Sequence, residues 1–163
     1  MRLATHYIFT IGLLAMAVRP ILPIAGALLV AAWLGLTTNW FIDHMGHEMR
    51  NGIPRRKAGT HSIPGAIAVG VVFGVVPVIL TALLGTPSAG IPLPPVPLLA
   101  LLMAALGALA GLSHLLLDAL TEGGIYYHGS RWALAHWRYD NVGANALFAL
   151  LGLLMLGAAA AGV

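Results

Sequence analysis

Apolar residues run along this chain in five long stretches, and none of them alternates apolar with polar. The stretches cover residues 3–18, 21–42, 63–84, 98–120 and 139–163. Arg19-Pro20 breaks the first from the second, polar loops occupy 43–62 and 121–138, and a charge-free Pro/Gly-rich connection spans 85–97. A helix needs around 20 residues to cross the hydrocarbon core of a bilayer. Stretches two to five meet that length, and the 16 residues of the first predict a tilted or partly re-entrant helix. Long runs of Leu and Ala without a period of two exclude barrel strands. Inside lipid every backbone polar group must be paired within the protein, which leaves helices. The expected fold is all-α: a polytopic transmembrane helical bundle of about five membrane helices, in a single domain over residues 1–163.

Composition agrees. The chain is 60% hydrophobic and only 8% charged, against about a quarter charged in an average soluble chain. So few charges cannot clothe a water-soluble core, so the lipid bilayer is the first partner. The net charge of +3 comes from few, local basic residues, and that does not make a nucleic-acid interface. With no Cys, disulfides and thiolate metal sites are excluded, and any metal must be held by His, Asp, Glu or backbone oxygen. The start loosely resembles a signal peptide in Arg2, the apolar run to Leu14 and Ala15-Met16-Ala17. His6 inside that run argues against it. The pairs Gly70/Gly74 and Gly107/Gly111 read GxxxG, a spacing consistent with close helix packing.

Charge sets the expected orientation. Threading five helices puts Arg2, Arg50, Arg55, Arg56, Lys57, Arg131 and Arg138 on one side and only Arg19 on the other. Cytoplasmic loops carry the excess of Lys and Arg. The chain is therefore expected as a multi-pass cell-membrane protein with its N-terminus and its polar loops in the cytoplasm.

The same threading gathers all seven His and all five Asp and Glu on that one side. Polar residues collect in polar loops anyway, so the weight falls on His6, His114 and Asp118, which lie within apolar runs. His114 and Asp118 stand at i and i+4, on one helical face. Ionisable groups at membrane depth are costly and generally face a protein interior, and metal ligation would offset that cost. Asp43 and His47 repeat the spacing, with His44 and Glu48 as the neighbouring pair turned by about 100°. Asp43 and His47 are favoured, on the expectation that the apolar face continues through Trp40. His61, in Gly59-Thr60-His61-Ser62, precedes the third helix with hydroxyl neighbours able to hydrogen-bond a ligand. The expected metal ligands are His6, Asp43, His47, His61, His114 and Asp118. His136 and Asp140 form a further pair within an aromatic cluster that reads as an interfacial belt. Glu48 and His136 are the expected catalytic proton carriers. Arg55-Arg56-Lys57 either marks topology or attracts phosphate groups.

Four pieces resemble the membrane-bound metal-dependent hydrolases of bacteria and archaea, a family that includes an archaeal branch of unknown function. They are Thr5-His6, Ile42-Asp43-His44, Gly59-Thr60-His61-Ser62, and Ser113-His114-Leu115-Leu116-Leu117-Asp118-Ala119-Leu120-Thr121. Phe41 stands where bacterial members carry the first acidic residue of Asp-x-Asp-His. Arg56-Lys57-Ala58-Gly59 stands where they carry His-Arg-Gly. A looser likeness links the scattered His and Asp to zinc-dependent phospholipase C, which implies phosphoester hydrolysis.

The functional expectation is a membrane-embedded, metal-dependent hydrolase with a cytoplasm-facing His/Asp site, using one or two divalent metals, zinc first, on a lipid or phosphoester substrate. The alternatives are a metal carrier or sensor, and a structural protein whose His–Asp pairs only fasten helices. A carrier should show polar residues leading to the far side, where this chain has Leu, Ala, Val and Gly.

Overall fold

The computed structural model describes residues 1–84 and 94–163. Among these residues five helices carry the fold: α1 (Leu3–Val18), α2 (Ile24–Met45), α3 (Ile63–Leu84), α4 (Val96–Ala119) and α5 (Val142–Ala161). α2 to α5 are each long and apolar enough to cross a membrane, so the chain is a multi-pass membrane protein. Most of the predicted connection at 85–97 lies outside the described residues, and α4 begins at Val96.

Each helix end has a local cause. α2 starts after Pro23 and runs on to Met45, three residues beyond the predicted end, so Asp43 sits in its last turn. α5 starts three residues later than expected because Asn141 caps it, its side chain accepting from the Ala144 amide at 2.9 Å. In α3, Pro77 has no N–H for the Phe73 carbonyl one turn back. The Trp33 indole of α2 donates to that carbonyl instead, at 3.0 Å.

The two polar loops hold short hairpins rather than irregular chain. β1 (His47–Arg50) pairs with β2 (Ile53–Arg56), and β3 (Ile125–Tyr127) pairs with β4 (Ser130–Trp132). Asn51-Gly52 and His128-Gly129 close them, with positive φ at both positions of each turn. That is the twist a two-residue hairpin needs.

α1 lies against α2, α4 and α5. Its 16 residues make a rod of about 24 Å, short of the ~30 Å core of a bilayer. Sheathed by three neighbours, it does not have to match that thickness by itself. α3 buries only Ala66, Gly70, Gly74 and Val78, a stripe at every fourth residue, against α4. A Cβ added at Gly70 would run into the Gly107 carbonyl, and one at Gly107 into the Gly70 carbonyl. The two GxxxG stripes thus face each other in antiparallel register, and small residues let the backbones touch.

Apolar side chains fill one half of the bundle: Leu14, Val18, Ala27, Ala31, Leu34 and Leu106 belong to a single core cluster. The other half is polar. There the start of α1, the end of α2, the segment before α3 and the end of α4 meet under the two hairpins.

Candidate metal centre

α4 supplies the central pair. His114 and Asp118, one turn apart, are both fully buried, with His114 Nε2 3.1 Å from Asp118 Oδ2. α2 supplies Asp43, whose Oδ1 lies 3.5 Å from His114 Nε2. The loop before α3 supplies His61, whose Nε2 is 3.5 Å from Asp118 Oδ2 and 3.8 Å from Asp43 Oδ1. These four donor atoms all lie within 4.8 Å of one another. Ligands about 2.0–2.1 Å from a tetrahedral zinc stand roughly 3.3 Å apart, and the four measured edges bracket that value.

The proton positions decide what the cluster attracts. Asn39, one turn before Asp43, donates its amide to the Gly35 carbonyl at 2.6 Å. A carbonyl can only accept, so this fixes which way the Asn39 amide points. Its Oδ1 then accepts from His114 Nδ1 at 2.8 Å. His114 therefore carries a proton on Nδ1, and in the neutral form of the ring Nε2 turns a bare lone pair towards Asp118. His61 Nδ1 is likewise engaged, by Thr60 Oγ1 at 3.0 Å, and burial pushes the His61 pKa down, keeping the ring neutral. His61 Nε2, His114 Nε2 and Asp118 Oδ2 are buried without a hydrogen-bond partner among the described residues. The lone pair of His114 Nε2 and the carboxylate oxygen of Asp118 face each other, which is unfavourable as they stand, and His61 Nε2 joins them as a third acceptor when its Nδ1 donates to the Thr60 hydroxyl. They fit a cation.

The other carboxylate oxygen of Asp118 is held from outside. Arg56 Nη2 donates to Oδ1 at 2.6 Å. Its Nη1 reaches Thr121 Oγ1 at 3.2 Å and the Gly124 carbonyl at 2.6 Å. The Met1 amino group and His6 Nε2 also approach Oδ1, at 3.4 and 3.3 Å. His6 is fully buried, with neither ring nitrogen hydrogen-bonded, and it stacks on His114 at 4.1 Å. It flanks the four-donor group without belonging to it.

Of the six expected ligands, the structure brings Asp43, His61, His114 and Asp118 together and sets His6 beside them. His47 is placed differently. Gly46 ends α2, so His47 opens β1 and the helical i, i+4 relation to Asp43 does not exist. Its Nδ1 donates to the Asp43 carbonyl at 2.6 Å, and its ring stands edge-on to His61 at 5.0 Å. Asp43 faces the centre because it continues the Gly35–Asn39 line. Trp40 points outward instead and stacks on His44. Glu48 and His136, the expected proton carriers, are both exposed. His136 has φ of 54° in a non-helical segment, so it shares no helical face with Asp140.

Above the centre opens a cavity of about 700 Å³, lined among others by Asp43, His47, Arg55, Arg56, Glu122 and Arg131. Glu48 and His136 do not line it. Asn39 and Arg56 are the contributors that sequence reasoning missed. A lone amide in an apolar run was the available signal for Asn39. For Arg56 the only signal was its membership of a basic stretch.

No curated protein and no solved structure matches the chain. The family model described as a protein of unknown function, DUF1286, matches residues 1–117. That span carries every donor of the centre except Asp118, and the chain belongs to this family.

Proposed function

We propose that the protein is a membrane-embedded, metal-dependent hydrolase acting on a lipid or phosphoester substrate. The observation that carries this is the convergence of buried ring nitrogens and a carboxylate oxygen without a hydrogen-bond partner, on His61, His114 and Asp118, with Asp43 at the rim, its side chain 21% exposed. A closed structural site would bury every donor. Here one donor reaches a cavity large enough for a headgroup. A divalent ion, zinc by its fit to His and Asp donors, would supply Lewis-acid charge and an activated water. Asn39 and Thr60 orient the two imidazoles, and Arg56 anchors the second carboxylate oxygen of Asp118. Proton transfer falls to His47 and Glu122, which line the cavity, rather than to Glu48 and His136.

The likeness of the four sequence pieces to membrane-bound metal-dependent hydrolases supports the same reading. The seven-to-one split of basic residues favours a cytoplasmic site. The apolar plug formed by Leu14, Val18 and Leu34 in the far half argues for a reaction at one face over carriage of metal across the membrane.

Elemental analysis of detergent-purified protein tests the centre. Wild type should carry stoichiometric divalent metal, and His114→Ala with Asp118→Ala should carry none. A wild type that holds no metal and takes up none when offered defeats the reading. Phosphoester turnover, lost with chelator and restored by metal, then tests the hydrolase.

A further inference from the structure

We infer that Arg55 and Arg131 form a subsite for the phosphate group of a phosphomonoester beside the His/Asp centre. The two arginines come from different hairpins, Arg55 on β2 and Arg131 on β4, and both line the cavity above Asp43. Their strands are tied to the segments that carry the centre. The Lys57 amide, next to β2, donates to the Gly46 carbonyl at 2.7 Å. The Tyr126 amide, opposite Arg131 in the second hairpin, donates to the His61 carbonyl at 2.7 Å.

The third arginine of the cavity, Arg56, is consumed by Asp118. The Arg55 and Arg131 side chains make no hydrogen bond or ion pair among the described residues. Glu48 stands directly across the strand pair from Arg55 and Glu122 lines the same cavity, yet neither forms a salt bridge with an arginine among the described side chains. Both side chains are exposed, and an anion entering the cavity they line meets two guanidiniums that no carboxylate among the described residues has engaged. Phosphate suits them best. Its charge is near −2, and its oxygens match the planar fork of arginine in pairs.

The substrate class rests on the hydrolase reading above; the anion subsite itself does not. In the reaction, the oxygen of water forms a new bond to phosphorus and the ester P–O bond breaks. One proton of water passes to the leaving oxygen, giving an alcohol and inorganic phosphate. The same chemistry serves a lipid phosphate and a soluble phosphoester.

The test is equilibrium binding of radiolabelled inorganic phosphate to detergent-purified protein, with and without added zinc, and bound metal counted in the same samples. Wild type should bind phosphate saturably and more weakly as salt rises. Arg55→Ala with Arg131→Ala should lose about tenfold or more in affinity, the scale of a lost charge-assisted contact, with metal content unchanged. Arg55→Lys with Arg131→Lys should recover part of it. Metal binding without arginine-dependent phosphate binding overturns the subsite and spares the hydrolase reading. Arginine-dependent phosphate binding in a protein that takes no metal does the reverse. Displacement by short-chain phosphatidic acid well below the concentration of glycerol phosphate required marks the lipid as the source. Equal displacement marks the soluble ester. A misfolded double variant is recognised by its lost metal, and the lysine variants then decide.

Discussion

Asn39 on α2 accepts the Nδ1 proton of His114 on α4 at 2.8 Å, across the centre of the bundle. Through that bond a residue outside the four-donor group decides which nitrogen of His114 is free to take a ligand. Outer partners of ligating histidines typically contribute 10–100-fold to metal affinity. Asn39→Leu should weaken zinc binding by about that factor. Asn39→Asp keeps the acceptor but turns its second oxygen against the Gly35 carbonyl, and should recover only part of the affinity. Competition against a chelating dye, on folded protein, measures both. Equal affinity in Asn39→Leu would show that His114 needs no such orientation.

Arg56 joins β2 to the end of α4 through Asp118, Thr121 and Gly124. The Asp118 side chain is fully buried and that of Arg56 is 12% exposed. Removing one partner of such a pair costs about 3 kcal/mol, and after loss of Arg56 only the longer Met1 amino contact at 3.4 Å remains, among the described residues, to offset the charge of Asp118. Arg56→Ala should lower the stability of the metal-free protein by about that amount, read from denaturant unfolding in mixed micelles. Arg56→Lys keeps the charge but cannot span three acceptors as a planar fork does, and should fall between.

The bundle was legible because lipid imposes a simple rule. Uninterrupted apolar runs of bilayer length become helices, and α1, α3 and α4 begin or end within two residues of their expected bounds. The hairpins were harder. Asn51-Gly52 is a turn signal, but the strands beside it, His-Glu-Met-Arg and Ile-Pro-Arg-Arg, show no apolar alternation to reinforce it. Asp43, His114 and Asp118 stood out because ionisable groups inside or at the ends of apolar helices are conspicuous. His47 shows where local spacing fails, since an i, i+4 argument holds only while the helix continues, and Gly46 stops it. Asn39 and Arg56 act across 75 and 62 residues of chain, a relation that no local pattern encodes.

His61 gives the metal-free protein a pH dependence. Burial lowers its pKa from the ordinary 6.5, so the unfolded chain takes up a proton before the folded one does. The stability this contributes is present above pH 6.5 and is lost as pH falls below that value. Unfolding of the chelator-treated protein should become easier between about pH 7.5 and pH 5, His61 contributing at most about 1.4 kcal/mol per pH unit to the slope, the share of one proton. His61→Gln should flatten that slope. An unchanged slope would mean that His61 takes no part in it.

The meeting of α3 and α4 at Gly70 and Gly107 leaves no room for a side chain. Each Cβ would fall on the opposite backbone carbonyl, and neither backbone can yield without moving its helix. Overpacking of this kind typically costs about 1–3 kcal/mol. Gly70→Ala and Gly107→Ala should each destabilise the protein by that order. Gly157 on α5 is the control, because nothing lies within 4 Å of a Cβ built there. Gly157→Ala should be neutral or slightly stabilising, since alanine is the better helix former. Because α4 carries His114 and Asp118 while α3 follows His61, prying the two helices apart should also widen the donor set. Gly107→Ala is therefore expected to lose zinc affinity together with stability, whereas Gly157→Ala keeps both. Unfolding in mixed micelles and zinc titration on the same three variants check this, and a stable, fully zinc-binding Gly107→Ala would refute the close contact.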